Sequence, residues 1–114
     1  MSNYENVQGA DIENKSMTGS GVEYVTYADG LRKTFEKNQI VINGLATGTA
    51  TIKAKGRNSD VFEDVVNGVI ELSTTRTLTI EDAMIEEFSI EVSAGTAYTV
   101  SVFQSDHRRG GLNK

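Results

Sequence analysis

The sequence predicts an all-β protein, a small β-sandwich or jelly roll of about eight short antiparallel strands with an arm at each end. Three observations predict it. Short runs rich in Val, Ile, Thr, Tyr and Phe recur along the chain, with apolar and polar residues alternating inside them. Turn-forming pairs separate the runs: Asp29-Gly30, Asn43-Gly44 and Asn67-Gly68. Helical patterns are weak. TYADGLRKTFEKNQI (26–40) is interrupted by Asp29-Gly30 and weakened by Thr34 and Phe35, and EDAMIEEF (81–88) has room for one short helix at most.

Residues 1–21 are polar, with few large apolar side chains and glycines at 9, 19 and 21, and read as an extended, flexible arm. The β-domain is expected over 22–103. VEYVTY (22–27) and LRKTFEK (31–37) flank Asp29-Gly30 and predict a hairpin. QIVI (39–42) runs into a turn at Asn43-Gly44. In GTATIKAKG (48–56), Ala50, Ile52 and Ala54 face one way while Thr49, Thr51, Lys53 and Lys55 face the other.

RNSD (57–60) leads to VFEDVVNGVIEL (61–72), where Asn67-Gly68 between two β-forming runs predicts a second hairpin. Its two-residue turn would set Val66 against Val69, Val65 against Ile70 and Asp64 against Glu71. Val61, Val65, Ile70 and Leu72 then form the core face. Phe62, Val66, Val69 and the like-charged Asp64 and Glu71 form the other, which must meet solvent or a basic partner.

TLTI (77–80) points Leu78 and Ile80 inward. In MIEEFSIEV (84–92), Phe88, Ile90 and Val92 share a face, and Ile85 is out of phase with them, which predicts a bulge near Glu86-Glu87. Ser93 to Thr96 turn the chain. AYTVSVF (97–103) points Tyr98, Val100 and Val102 inward and leaves Phe103 out of phase, a candidate exposed anchor. Residues 104–114, QSDHRRGGLNK, read as a locally basic tail.

The chain has 114 residues and 38% hydrophobic residues, enough for one domain with a thin core. A net charge of -5 argues against a dedicated nucleic-acid binder, which needs a basic face. No apolar run approaches the roughly 20 residues of a membrane helix, and residues 1–21 lack the apolar centre of a signal peptide. The absence of cysteine excludes disulfides and thiolate metal sites. The absence of proline leaves charge and pairing to protect the sheet edges, unless an edge pairs with a partner chain.

Catalytic patterns are missing. His107 is the single histidine and sits in the tail, a poor place for a triad or a metal centre. Glu81, Asp82, Glu86, Glu87 and Glu91 cluster without calcium-loop or glycosidase spacing, and read as a solvated acidic face. No glycine arrangement forms a nucleotide cradle. Lys53, Lys55 and Arg57 make a basic row that Arg108 and Arg109 extend. Acidic and basic patches on one small domain fit self-association or docking on a repeated lattice, and equally fit pairing within the molecule.

ATGTATIKAKGRNSDVFEDVVNGVIELS joins a Thr/Ala-rich strand to a hairpin with an acidic face, and RTLTIEDAMIEEFSIEVSAGTAYTVSVFQ supplies the closing strands of a small sandwich. Over about residues 46–104, flanked by polar arms, the chain resembles the small structural proteins of tailed-bacteriophage virions, most of all the capsid decoration (cement) proteins. That resemblance implies a non-enzymatic protein, without a cofactor, assembled into the virion in the host cytoplasm. Its partners would be the major capsid protein or other virion proteins, with contacts between copies on the lattice and none to nucleic acid or membrane. The residues expected to meet a partner are Phe62, Val66, Val69, Phe103, Arg108 and Arg109. The competing class is a ligand-binding β-sandwich of a phage tail, fibre or head–tail joint, for which Tyr24, Tyr27 and Phe62 would supply the exposed aromatics.

Overall fold

A computed structural model describes residues 11–32, 35–56, 59–81, 84–93 and 95–105. They form β1 (Asp11–Met17), β2 (Glu23–Val25), β3 (Lys37–Asn43), β4 (Thr49–Gly56), β5 (Glu63–Glu71), β6 (Thr77–Ile80), β7 (Ile85–Val92) and β8 (Tyr98–Ser105). One four-stranded sheet has the order β1-β8-β3-β6 and the other β2-β7-β4-β5. All pairings are antiparallel, and β1 pairs β8, β2 pairs β7, β3 pairs β6 and β4 pairs β5. Strands therefore pair from the outside of the chain inward, as in a long hairpin folded over into two sheets. This is the eight-stranded jelly roll.

The alternation read from the sequence is the alternation that fills the core. Ala50, Ile52 and Ala54 of β4, Phe88, Ile90 and Val92 of β7, and Tyr98, Val100 and Val102 of β8 are all buried. Ile40 and Ile42 of β3 and Leu78 of β6 complete the opposing layer, and Leu31, Leu45 and Leu72 enter from connections. The expected bulge is present. Lys55 pairs Glu87 and Gly56 pairs Ile85, so Glu86 is the extra residue that brings Ile85 back to the core side.

The N-terminal boundary differs from the expectation. Asp11–Met17, read as part of the arm, is edge strand β1. Ile12 and Met17 are both buried although five positions apart, a spacing that a regular strand would send to opposite faces. Asn14, in the left-handed region at φ 54°, absorbs one residue between the pairs Ile12–Val102 and Lys15–Val100 and so resets the phase. Residues 1–10 lie outside the described residues. At the other end, Gln104 and Ser105 belong to β8 and not to the tail. The Gln104 amide accepts from Arg32 N–H at 2.7 Å and donates to the Arg32 carbonyl and to Asn38 Oδ1, both at 2.7 Å. A fully satisfied buried amide keeps the strand in the sheet two residues longer.

Neither expected hairpin forms. After β2 the chain makes a single 3-10 turn, Tyr27–Asp29, and crosses to the other sheet. Thr26 caps that turn by accepting from Ala28 N–H, Asp29 accepts from Thr26 N–H, and Gly30 closes it at φ 115°. In the second case, residues 63–71 are one strand, and both halves pair with β4. Val69 pairs Thr51 and Asp64 pairs Lys53, so β5 spends five steps where β4 spends two, and Val65–Gly68 bulge out as four residues opposite Ile52. A two-residue type I′ turn needs positive φ at both central residues; Asn67 has φ 60°, and Gly68 does not join it there. Asp64 therefore faces Lys53, Glu71 faces Thr49, and the expected Asp64–Glu71 opposition does not exist.

Candidate interaction surface

The bulge in β5 decides what the outer surface of its sheet presents. Ile70 and Leu72 are buried and Val65 packs against the core from its margin, as the sequence indicated. Val61, expected on the core face, is exposed because it precedes the ladder and has no strand register to hold it. Val66 is 84% exposed and Val69 62% exposed. A Cβ on Gly68 would sit 2.6 Å from the Ile52 carbonyl oxygen, so glycine is what lets the bulge press onto β4 while Val66 is pushed outward.

The exposed large apolar side chains among the described residues are Val22, Tyr24, Tyr27, Val61, Val66 and Val69. Each lies on β2 or β5, or in the segment adjoining one of them. Those are the two edge strands of a single sheet, so the exposed apolar surface belongs to one side of the sandwich. β7 and β4 lie between the two edges, so these side chains stand at opposite margins of one face.

Phe62 is half-buried and folds back over this face. Its ring lies 5.4 Å from that of Tyr24, with Lys55 Nζ 5.8 Å from its centroid. Beneath them Ser89, outward in phase on β7, is 6% exposed. The aromatic pair thus roofs the middle of the sheet, and Val22, Lys53 and Glu91 line a shallow hollow beside it. Tyr27 carries the Arg32 guanidinium 5.0 Å above its ring.

Of the residues expected to meet a partner, Val66 and Val69 stand together on this surface and Phe62 is tucked beside it. Phe103 is half-buried and belongs to the other sheet, opposite Asp11 and Gln39. Arg108 and Arg109 lie outside the described residues, as do Arg57, Asp82 and His107. The basic row of β4 is used internally: Lys53 Nζ lies 3.8 Å from Asp64 and Lys55 Nζ 3.7 Å from Glu87. Tyr24 and Tyr27, named for the ligand-binding alternative, are exposed, whereas Val22 became visible as a surface residue only when β2 proved to be an edge strand.

The perturbed titrating groups hold structure together. Glu23 accepts hydrogen bonds from the Thr18 hydroxyl, Thr18 N–H and Gly19 N–H, and the Thr18 hydroxyl first among them holds its carboxyl below the ordinary range. Burial pushes the Tyr98 phenol up to about 12, with the Glu23 charge adding to it. Tyr98 is a core side chain whose hydroxyl has no hydrogen-bond partner among the described residues. Among the described residues no group of three or more His, Cys, Asp or Glu is placed to hold a metal ion, and no helix is long and apolar enough to cross a membrane.

No protein-family model matches this chain. No curated protein matches it either. Solved structures resemble it in fold. AlgX of Pseudomonas aeruginosa aligns over 84% of this chain with a TM-score of 0.50 and 13% identity, and the chain spans 26% of AlgX. The SPBc2 prophage-derived protein YomS aligns over 81% of this chain and 92% of its own length, with a TM-score of 0.49 and 13% identity. The coat protein of Tobacco streak virus aligns over 82% of this chain and 80% of its own, with a TM-score of 0.37 and 12% identity. At such identities the likeness is one of fold.

Proposed function

We propose that this chain is a non-enzymatic structural protein of a tailed-bacteriophage virion, binding the outside of the capsid shell as a decoration protein. One observation carries the reading: the exposed apolar side chains gather on one sheet of a jelly roll, with Val66 and Val69 raised on a glycine-dependent bulge. The partner is the major capsid protein or another virion protein. Each contact need not be strong, because many copies on one shell convert weak binding to stable attachment by avidity. Neither nucleic acid nor membrane enters the reading.

The test is to fractionate a native lysate on a density gradient and blot for this chain. Co-migration with large particles, in fixed ratio to one major protein, supports the role; recovery only in light soluble fractions removes it. The Tyr24–Phe62 pair beside Val22 favours a second reading, a tail or fibre module that binds a ligand such as a carbohydrate. Sugar-induced protection of Tyr24 and Phe62, with no particle association, would select that alternative.

A further inference from the structure

The two sides of the sandwich are closed differently. On the side of edge strands β1 and β2, Lys15 reaches across to the Tyr24 carbonyl and the Asp29 carboxylate. On the opposite side, edge strands β5 and β6 leave a groove lined by Asp64, Val65, Val66, Thr79, Ile80 and Glu81. Val65 and Ile80 pack against the core and are only partly covered, so the groove floor is aliphatic. Its rim is acidic. The Asp64 side chain is 89% exposed, with Lys53 at 3.8 Å as its cation; Glu81 lines the groove with it, and Glu63, next to Asp64 in the chain, is exposed. An aliphatic floor with an acidic rim fits a segment that offers an apolar side chain among bases.

The chain itself supplies such a segment, and β8 delivers it close by. Ser105 pairs Lys37, and Asn38 pairs Ile80, which sets Lys37 level with Glu81. Two inter-strand spacings separate Ser105 from Glu81, about 10 Å. The sequence continues Asp106-His107-Arg108-Arg109-Gly110-Gly111-Leu112-Asn113-Lys114. An extended chain covers about 3.3 Å per residue, so Arg108 has the reach for Glu81 and Leu112 the reach for Val66.

We infer that the groove between β5 and β6 is the docking site for this chain's own residues 108–114. Arg108 and Arg109 meet Glu81 and Asp64, and Leu112 lies over Val65 and Ile80. The contacts are at the surface, so the docked population falls as salt rises. A basic partner segment would have to displace this one to reach the groove side of Val66. The inference concerns the free chain and does not rest on the virion reading.

The absence of cysteine makes a clean test possible. Asn113→Cys carries a single nitroxide, and the Val and Ile methyl signals of the full chain are recorded in low salt. The expected result is at least a twofold loss of intensity at Val65, Val66 and Ile80, with Val22 and Val41 unaffected. The loss should disappear in 0.5 M salt, roughly a Debye length below 5 Å, in Arg108→Glu/Arg109→Glu, and in Asp64→Asn/Glu81→Gln. Absence of the loss, or an even loss over the whole surface, overturns the proposal. So does a loss that appears only when spin-labelled and isotope-labelled chains are mixed, because the segment would then dock on a second copy.

Discussion

Lys15 lies on the core side of edge strand β1, in phase with Ile12 and Met17, and its Nζ is 2.9 Å from Asp29 Oδ2 in the turn that follows β2. An inward-pointing charge on an edge strand blocks strand addition from outside. Here it also joins the two sheets. The pair is partly screened, at 28% and 23% side-chain exposure, so it ranks between a surface pair and a buried one. Lys15→Met should lower unfolding stability by about 1 kcal/mol. Asp29→Ala should cost more, about 2 kcal/mol, because the cap on Thr26 N–H goes with it. Urea titration of both single variants and the double variant checks the coupling; strictly additive losses would mean that the pair contributes nothing.

Acid should weaken the fold through two carboxylates. The Thr18 hydroxyl and the Thr18 and Gly19 N–H groups hold Glu23 below its ordinary 4.5. Desolvation opposes the charged form of Asp29, yet Lys15 and the Thr26 N–H outweigh it and hold the carboxyl below its ordinary 3.8. A lowered folded pKa adds stability that is complete above the unfolded value and disappears as pH falls through the folded one. The denaturation midpoint should therefore be flat from neutral pH to about 5 and fall below the ordinary carboxylate values. In Glu23→Gln the fall should be shallower, and an unchanged slope would contradict the role given to Thr18.

Base acts with the opposite sign. The Tyr98 phenol ionises at about 12 in the fold against 10.0 when free. The folded state then holds a proton that the unfolded state has lost, so stability declines between pH 10 and 12. Tyr98→Phe should abolish that component. It should also be neutral or slightly stabilising at pH 7, because it removes a buried hydroxyl that has no partner among the described residues. A destabilisation above about 1 kcal/mol at neutral pH would show that the hydroxyl is satisfied after all.

The periodic parts of the fold were legible in the sequence. Alternation alone placed Ala50, Ile52, Phe88, Ile90, Tyr98 and Val100 in the core, and the phase break at Ile85 located the bulge at Glu86. What failed was the reading of local turn signals as hairpins. Asp29-Gly30 and Asn67-Gly68 have the right residues, but a jelly roll pairs β2 with β7 and β5 with β4, so tertiary pairing overrode local preference. Strand β1 was hidden because the Asn14 bulge breaks the period that would reveal it. The surface was half legible: Val66 and Val69 were assigned outward through a hairpin pairing that does not form, and it is the bulge that exposes them, whereas the Tyr24–Phe62 roof depends on contacts between strands remote in sequence.

Glycine at 68 should be close to obligatory. A Cβ there would meet the Ile52 carbonyl oxygen at 2.6 Å and the Val65 side chain at 2.9 Å, and a backbone carbonyl cannot move without disturbing β4. Gly68→Ala should cost about 1–3 kcal/mol. Gly56→Ala is the matched control, since a Cβ at 56 meets nothing within 4 Å and its φ is not positive. That variant should be neutral or gain about 0.5 kcal/mol by restricting the unfolded chain. Equal losses in thermal melts would place the sensitivity in strand propensity and not in the bulge.

Neighbouring valines in the bulge should separate folding from assembly. Val65 packs against the core and an aspartate there would carry an unpaired charge to its margin, while Val66 is 84% exposed and touches little. Val65→Asp should therefore lose about 1–3 kcal/mol and lower the melting temperature by several degrees. Val66→Asp should melt within about 0.5 kcal/mol of the parent, as surface substitutions do. If the raised valine meets a partner, Val66→Asp should nevertheless leave the heavy fractions of the density gradient, adding a third carboxylate to a groove that Asp64 and Glu81 already line. A Val66→Asp chain that melts normally and still co-sediments would exclude the bulge from the contact. Equal unfolding of both variants would mean that Val66 is not outside the fold, and the bulge would have to be redrawn.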